Sequence, residues 1–88
     1  RMPDQADIDA ALTRLRAEGY TDAANDQQLY GELTRAAACF EAADGADSPM
    51  PRHWPFATDA WAPGDPGANT ATAAAFRVLD AERLGRAS

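Results

Sequence analysis

The sequence predicts an all-α fold: a small three-helix domain over residues 1–88, with a long aromatic and proline-rich strap, that oligomerises through its helices. Three segments carry apolar residues at the spacing of a buried helix face, and no apolar–polar alternation lasts long enough to predict a strand. Between the second and third segments, five of the six prolines fall within residues 44–68, where regular structure is unfavourable. Alanine-rich helices approach one another closely, which favours packing against a second copy.

Helix A is predicted over about residues 5–18. Asp4 or Asp7 can cap its start, and Arg14 and Arg16 lie late in it, where positive charge complements the helix dipole. Its apolar residues recur at helical spacing and form one face: Ile8, Leu12 and Leu15.

Helix B is predicted over about residues 26–43, with Asn25 or Asp26 as its cap. Gly31 near its start costs about 1 kcal/mol relative to alanine, which suggests that something, such as a neighbouring chain, approaches closely there. The apolar face of this helix has spacings of four, three and four residues: Leu29, Leu33, Ala36 and Phe40.

Helix C is predicted over about residues 70–84. Asn69 or Thr70 is the expected cap, and Gly85 is the expected end. Ala73, Phe76 and Leu79 form its apolar face.

The strap, residues 44–68, holds three large aromatic residues: Trp54, Phe56 and Trp61. Disordered segments are poor in aromatic residues, so we expect an ordered strap pinned against the helices. Two interpretations stay open: the rings close a small core, or they offer a flat face to a ligand.

The composition of the chain argues against several classes of binding partner. The chain has a net charge of −6, and all eight basic residues are arginine. This argues against non-specific binding to DNA, RNA or anionic membranes, which needs a positive field. There is no apolar run of about 18 residues, so we expect no membrane span and a cytoplasmic location.

The sequence contains no recognisable pattern of catalytic residues. With a single histidine, His53, and a single cysteine, Cys39, no metal-ligand spacing and no histidine-based triad can be recognised. We therefore expect neither an enzyme nor a cofactor. What remains is an aromatic strap beside arginines and an asparagine, a combination that can stack a purine, hold a phosphate and contact a base edge or a ribose. The alternative for the same residues is a tryptophan core, surface arginines and a helix cap.

Four blocks of residues occur in an order that resembles a family of small phage and prophage proteins. They cover about residues 10–86: Glu18-Gly19-Tyr20-Thr21; Gly31-Glu32-Leu33 through Phe40; Trp54-Pro55-Phe56 with Trp61 and Pro63; and Asn69, Ala73, Ala75, Arg83, Leu84 and Arg86. The chain is similar to the first anti-Thoeris family of phage sponges. Those proteins withhold cyclic ADP-ribose signals, and some hold cyclic oligonucleotides of other defence systems.

The resemblance implies an oligomer built from dimers, with ligand sites where subunits meet. It implies that Asn69 and Arg86 contact the ligand and that an aromatic residue of the strap, Phe56 or Trp61, stacks on the base. We add Trp54, Arg16 and Arg83 as candidate ligand-binding residues. Several basic positions of the family pattern are uncharged here, including Ala62 and Thr72, so Arg14, Arg16 or Arg77 would have to hold the phosphate, or the signal differs.

The sequence thus predicts a phage anti-defence protein that sequesters a cyclic nucleotide without cleaving it. The second hypothesis is a small phage protein-interaction module that inhibits a host protein through the aromatic strap, since tryptophan and arginine dominate such interfaces. The first hypothesis predicts an enclosed site between subunits. The second predicts that Trp54 or Trp61 is exposed on a convex face.

Overall fold

The computed structural model describes residues 3–87, which fold as helices without a strand. This confirms the all-α prediction; residues 1, 2 and 88 of the predicted domain lie outside the described part. Within this range there are four α-helices and one short 3-10 turn (Thr58–Ala60): α1 (Gln5–Ala17), α2 (Asp22–Asn25), α3 (Glu32–Glu41) and α4 (Pro66–Ala87). None of these helices combines the length and apolarity needed to cross a membrane.

Helix α4 is the axis of the fold. It has 22 residues, so it is about 33 Å long, and α1, α2 and α3 each pack against it. Most residues of the predicted apolar faces are buried: Leu12 and Leu15 in α1; Leu33, Ala36 and Phe40 in α3; Ala73, Phe76 and Leu79 in α4. Ile8 is only half-buried, and further alanines join the core: Ala11, Ala37, Ala71 and Ala75. The two ends of α4 carry Asn69 and Arg86, which the family resemblance predicts at one ligand.

The predicted position at which helix B begins, about residue 26, is wrong. Thr21 caps the separate one-turn helix α2, with its Oγ1 accepting a hydrogen bond from the N–H of Ala24 at 3.3 Å, and α3 begins only at Glu32. Gly31 ends the intervening turns in the left-handed region, with φ of +79°, and apart from its neighbours in the chain no atom lies within 4 Å of the position that a Cβ would take. Gly31 is therefore needed for its backbone conformation, not for a close approach within this chain. As a consequence Leu29 does not join the core; it is 65% exposed.

The start and end of predicted helix C are also displaced. Pro66 is the first residue of α4, where a missing N–H costs nothing. Asp65 is the cap: its Oδ1 accepts a hydrogen bond from the N–H of Ala68 at 2.8 Å. Thr70 lies in the second turn, its hydroxyl donating to the Pro66 carbonyl at 2.9 Å. Gly85 does not end the helix, which continues to Ala87.

Six aromatic rings fill the space between α4, α3 and the end of α1. Phe76 of α4 is at their centre, with centroid distances of 5.1 Å to Tyr20 and 5.8 Å to Phe40. The other three rings come from the segment that joins α3 to α4: Trp54, Phe56 and Trp61. We call these six residues the aromatic cluster. Within it, burial, aided by the charge of Glu18, raises the pKa of Tyr20 to about 12.

Candidate functional site

An open cleft of about 640 Å³ lies between α1 and the first turns of α4. This volume is within the range of about 300–1,000 Å³ that is usual for small-molecule sites. The α1 wall carries Asp7, Ala10, Ala11 and Arg14, and the α4 wall comprises residues 65–68 with Thr70 and Ala71. The lining is thus largely apolar, with three charged side chains: Asp7, Arg14 and Asp65.

Arg14 is fixed at one end of the cleft. Its Nη2 donates to the hydroxyl of Thr72 at 2.6 Å, and its Nε lies 3.6 Å from the carboxylate of Glu18. Thr72 is buried on α4, so this hydrogen bond ties α1 to α4. A guanidinium has five N–H donors, and these two contacts leave donors of Arg14 for a ligand.

The α4 wall supplies backbone groups. The first N–H groups of a helix have no acceptor inside the helix. In α4, Pro66 has no N–H group, and the N–H group of Ala68 donates to the side chain of Asp65. The N–H of Gly67 remains at the cleft, together with the partial positive charge of the helix N-terminus. An anion could bind there.

Asn69 lies beside this cleft but does not face a ligand in the single chain. It is 1% exposed. Its Oδ1 accepts from the N–H of Gly64 at 2.7 Å, and its Nδ2 donates to the carbonyls of Gly64 at 2.9 Å and Ala43 at 3.4 Å. Asn69 thereby holds together the end of α3, the start of α4 and the segment between them. It is not the helix cap that the sequence predicted.

Arg86 lies at the opposite end of α4. The 17 residues that separate it from Asn69 correspond to about 25 Å of helix, so one small ligand cannot reach both in one chain. The Nε of Arg86 donates to Asp26 Oδ1 at 2.9 Å, and its Nη1 lies 3.4 Å from Asp22 Oδ1. The hydrogen bond that Arg86 donates to Asp26 is the main cause that raises the pKa of Arg86.

The other two predicted arginines also face carboxylates of the same chain. Arg16 contacts Glu82 across α1 and α4, at 3.0 and 3.3 Å. Arg83 donates to Asp80 at 3.3 Å, and only 13% of its side chain is exposed. A ligand phosphate at either residue would lie close to the carboxylate that already contacts the guanidinium, and it would be repelled by it.

The three predicted stacking residues, Trp54, Phe56 and Trp61, belong to the aromatic cluster and none of them lines the cleft. Trp54 is 8% exposed and donates from Nε1 to the Ala57 carbonyl at 3.0 Å. The Nε1 of Trp61 donates to the Ser48 carbonyl at 3.0 Å. Their rings contact each other and Phe40, which is the core-closing arrangement that the sequence left open.

The cleft residue Asp7 was considered only as a helix cap. It lies seven residues before Arg14, and a separation of two turns places both on one side of a helix. That spacing, with the Asp65-Pro66 start of α4, is the signal that could have drawn attention to this cleft. Among residues 3–87, no group of three potential metal-binding side chains converges.

No protein-family model, curated protein or solved structure matches this chain.

Proposed function

We propose that the protein is a phage anti-defence protein that binds and sequesters a cyclic nucleotide immune signal, of the cyclic ADP-ribose or cyclic oligonucleotide type, without cleaving it. The ordered blocks of residues that resemble the anti-Thoeris sponges support this choice of ligand class. It acts in the cytoplasm of the infected cell as a homo-oligomer.

The cleft between α1 and α4 is the observation that carries the proposal. Its volume of about 640 Å³ accommodates a nucleotide-sized ligand. Arg14 of α1 and the N-terminal residues of α4 both line the cleft and offer donors to a phosphate. The apolar remainder can cover a sugar or a base. Arg14 is one of the arginines that could replace the missing basic positions of the family pattern.

A second copy is needed if Arg86 also contacts the ligand, because Arg86 and the cleft are at opposite ends of α4. An antiparallel dimer would bring the Arg86 end of one α4 beside the cleft of its partner. In that arrangement the guanidinium exchanges Asp26 for the ligand phosphate. Sequestration requires tight binding and no catalysis. A nanomolar Kd corresponds to a binding free energy of about −12 kcal/mol.

A thermal-shift panel tests the proposal. The panel contains cyclic ADP-ribose isomers, cyclic dinucleotides and cyclic trinucleotides, with linear ADP-ribose and AMP as controls. Ligand at about 100 times its Kd stabilises the folded state by about 2.7 kcal/mol, which raises the Tm of a domain of this size by several degrees. We expect one cyclic compound to raise the Tm and to be recovered intact after heating.

The matched variants are Arg14→Gln and Arg35→Gln. Both remove one positive charge, but Arg35 lies on α3 outside the cleft and makes no ion pair among residues 3–87. The ligand-induced shift, measured from each variant's own Tm without ligand, should fall in Arg14→Gln and persist in Arg35→Gln. No shift with any cyclic compound, or recovery of a cleaved product, would overturn the proposal.

A further inference from the structure

Asp7 is the one charged side chain of the cleft without a partner among residues 3–87. The two others are engaged: Asp65 caps α4 through the N–H of Ala68, and Arg14 contacts Thr72 and Glu18. A carboxylate only accepts hydrogen bonds. The Asp7 end of the cleft is therefore suited to a ligand group that donates hydrogen bonds, such as a pair of hydroxyls.

Asp7 and Arg14 define the span of the ligand. Seven residues of helix separate them by about 10.5 Å along α1. Both side chains line the cleft, so one ligand can donate a hydrogen bond to Asp7 and present an anionic group to Arg14. A ribose 5′-phosphate has this arrangement, with hydroxyls that donate at one side of the ring and an anion at the other.

Charge fixes the direction of such a ligand. Asp7 repels a phosphate, whereas Arg14 attracts it. Ala10 and Ala11 of α1 and Ala71 of α4 also line the cleft. These methyl groups can contact the sugar without competing for its hydroxyls.

We infer that Asp7 accepts hydrogen bonds from ribose hydroxyls, so that the cleft selects ribonucleotide signals over their deoxyribose counterparts. This inference rests on the proposed function. A carboxylate that accepts from the 2′-hydroxyl is a known way to recognise ribose in other nucleotide sites. Loss of one such charge-assisted hydrogen bond corresponds to about a tenfold weaker Kd.

The test compares Kd values by calorimetry for two ligands, cyclic ADP-ribose and cyclic di-AMP, each with its 2′-deoxy analogue. The variants are Asp7→Ala and the matched control Asp9→Ala. Asp9 lies two residues along α1, is outside the cleft and accepts from Gln5 at 2.9 Å. Both variants remove one negative charge from an exposed helix position, so a general electrostatic effect is the same in both.

The readout is the ratio of the Kd of the deoxy compound to that of its ribose parent. We expect a ratio of about ten in the wild type and in Asp9→Ala, and a ratio near one in Asp7→Ala. A ratio near one in the wild type, or a preserved ratio in Asp7→Ala, would overturn the inference and leave the proposed function standing. Absence of binding by both ribose compounds would instead count against the proposed function, and the inference would fall with it.

Discussion

Arg86 and Asp26, 60 residues apart in the sequence, are joined by two short contacts between one guanidinium and one carboxylate oxygen. Nε of Arg86 is 2.9 Å and Nη2 is 2.8 Å from Asp26 Oδ1, and Nη2 also lies 3.4 Å from the carbonyl of Asp22. The contact fastens α2 to the end of α4. In the proposed dimer the ligand would compete with Asp26 for Arg86, which would link ligand binding to the docking of α2.

The first prediction concerns this link. Arg86→Gln should raise the amide exchange rates of residues 22–26 severalfold, because a one-turn helix is not stable by itself. Hydrogen exchange followed by NMR measures these rates residue by residue. The control is Arg52→Gln, since Arg52 is exposed and makes no ion pair among residues 3–87. Unchanged protection of α2 in Arg86→Gln would show that Arg86 does not anchor it.

Asn69 provides the second prediction. Asn69→Ala should lower the free energy of unfolding by about 2–4 kcal/mol, because a buried N–H and two carbonyls lose their partner and a cavity remains. Urea denaturation measures the loss. The neighbouring exposed substitution Thr70→Ala should cost no more than about 0.5 kcal/mol. If Asn69→Ala were as stable as Thr70→Ala, the three hydrogen bonds of Asn69 would not be structural.

This result also affects how ligand-binding experiments are interpreted. A weaker ligand effect in Asn69→Ala can come from a disturbed start of α4, since Asn69 is buried and fully engaged. Arg14 is a sharper probe because its side chain is half exposed and lines the cleft.

The sequence predicted the buried faces better than the ends of the helices. Helical spacing identified Leu12, Leu33 and Phe76 because burial of an apolar stripe decides which face of a helix packs inward. It failed at Leu29, since a local turn that ends in a left-handed Gly31 interrupts the helical pattern there. Nothing in the spacing of Leu29 distinguishes it from a residue of the helix.

The candidate site was less predictable. The segment with Trp54 and Trp61 has no periodicity, so the sequence could not decide whether its rings point to the core or to a ligand. The pairs Arg16–Glu82 and Arg86–Asp26 join residues more than 50 positions apart, and only the packing of α1 and α2 on α4 brings them together. The arginines were therefore recognised as candidate phosphate contacts, while their intramolecular partners were not.

The third prediction is a pH dependence at the pair Glu41–Arg77. Arg77 donates from Nε and Nη2 to the two oxygens of Glu41, at 2.9 and 2.8 Å, and this hydrogen bonding lowers the pKa of Glu41. A carboxyl group with a lowered pKa in the folded state contributes its stability above the unfolded value of about 4.3, and loses it as the pH falls through the folded pKa.

Glu41→Gln should accordingly be less stable than the wild type at about pH 7, and the difference should narrow below about pH 4. Both side chains are 48% exposed, so solvent screening limits the effect to about 0.2–1 kcal/mol. Urea denaturation at several pH values measures it, with Asp47→Asn as a control for the change in net charge. A difference that grows on acidification would contradict the assigned direction.

The fourth prediction uses two glycines with opposite requirements. Gly31→Ala should destabilise the protein by about 1 kcal/mol, because φ of +79° places a Cβ against the following carbonyl. Gly85→Ala should stabilise it by about 0.5 kcal/mol, since Gly85 lies within α4 and nothing is within 4 Å of the new methyl group. Urea denaturation of both variants compares them under one condition. Equal effects would show that the left-handed turn before α3 and the continuation of α4 past Gly85 are not both present in solution.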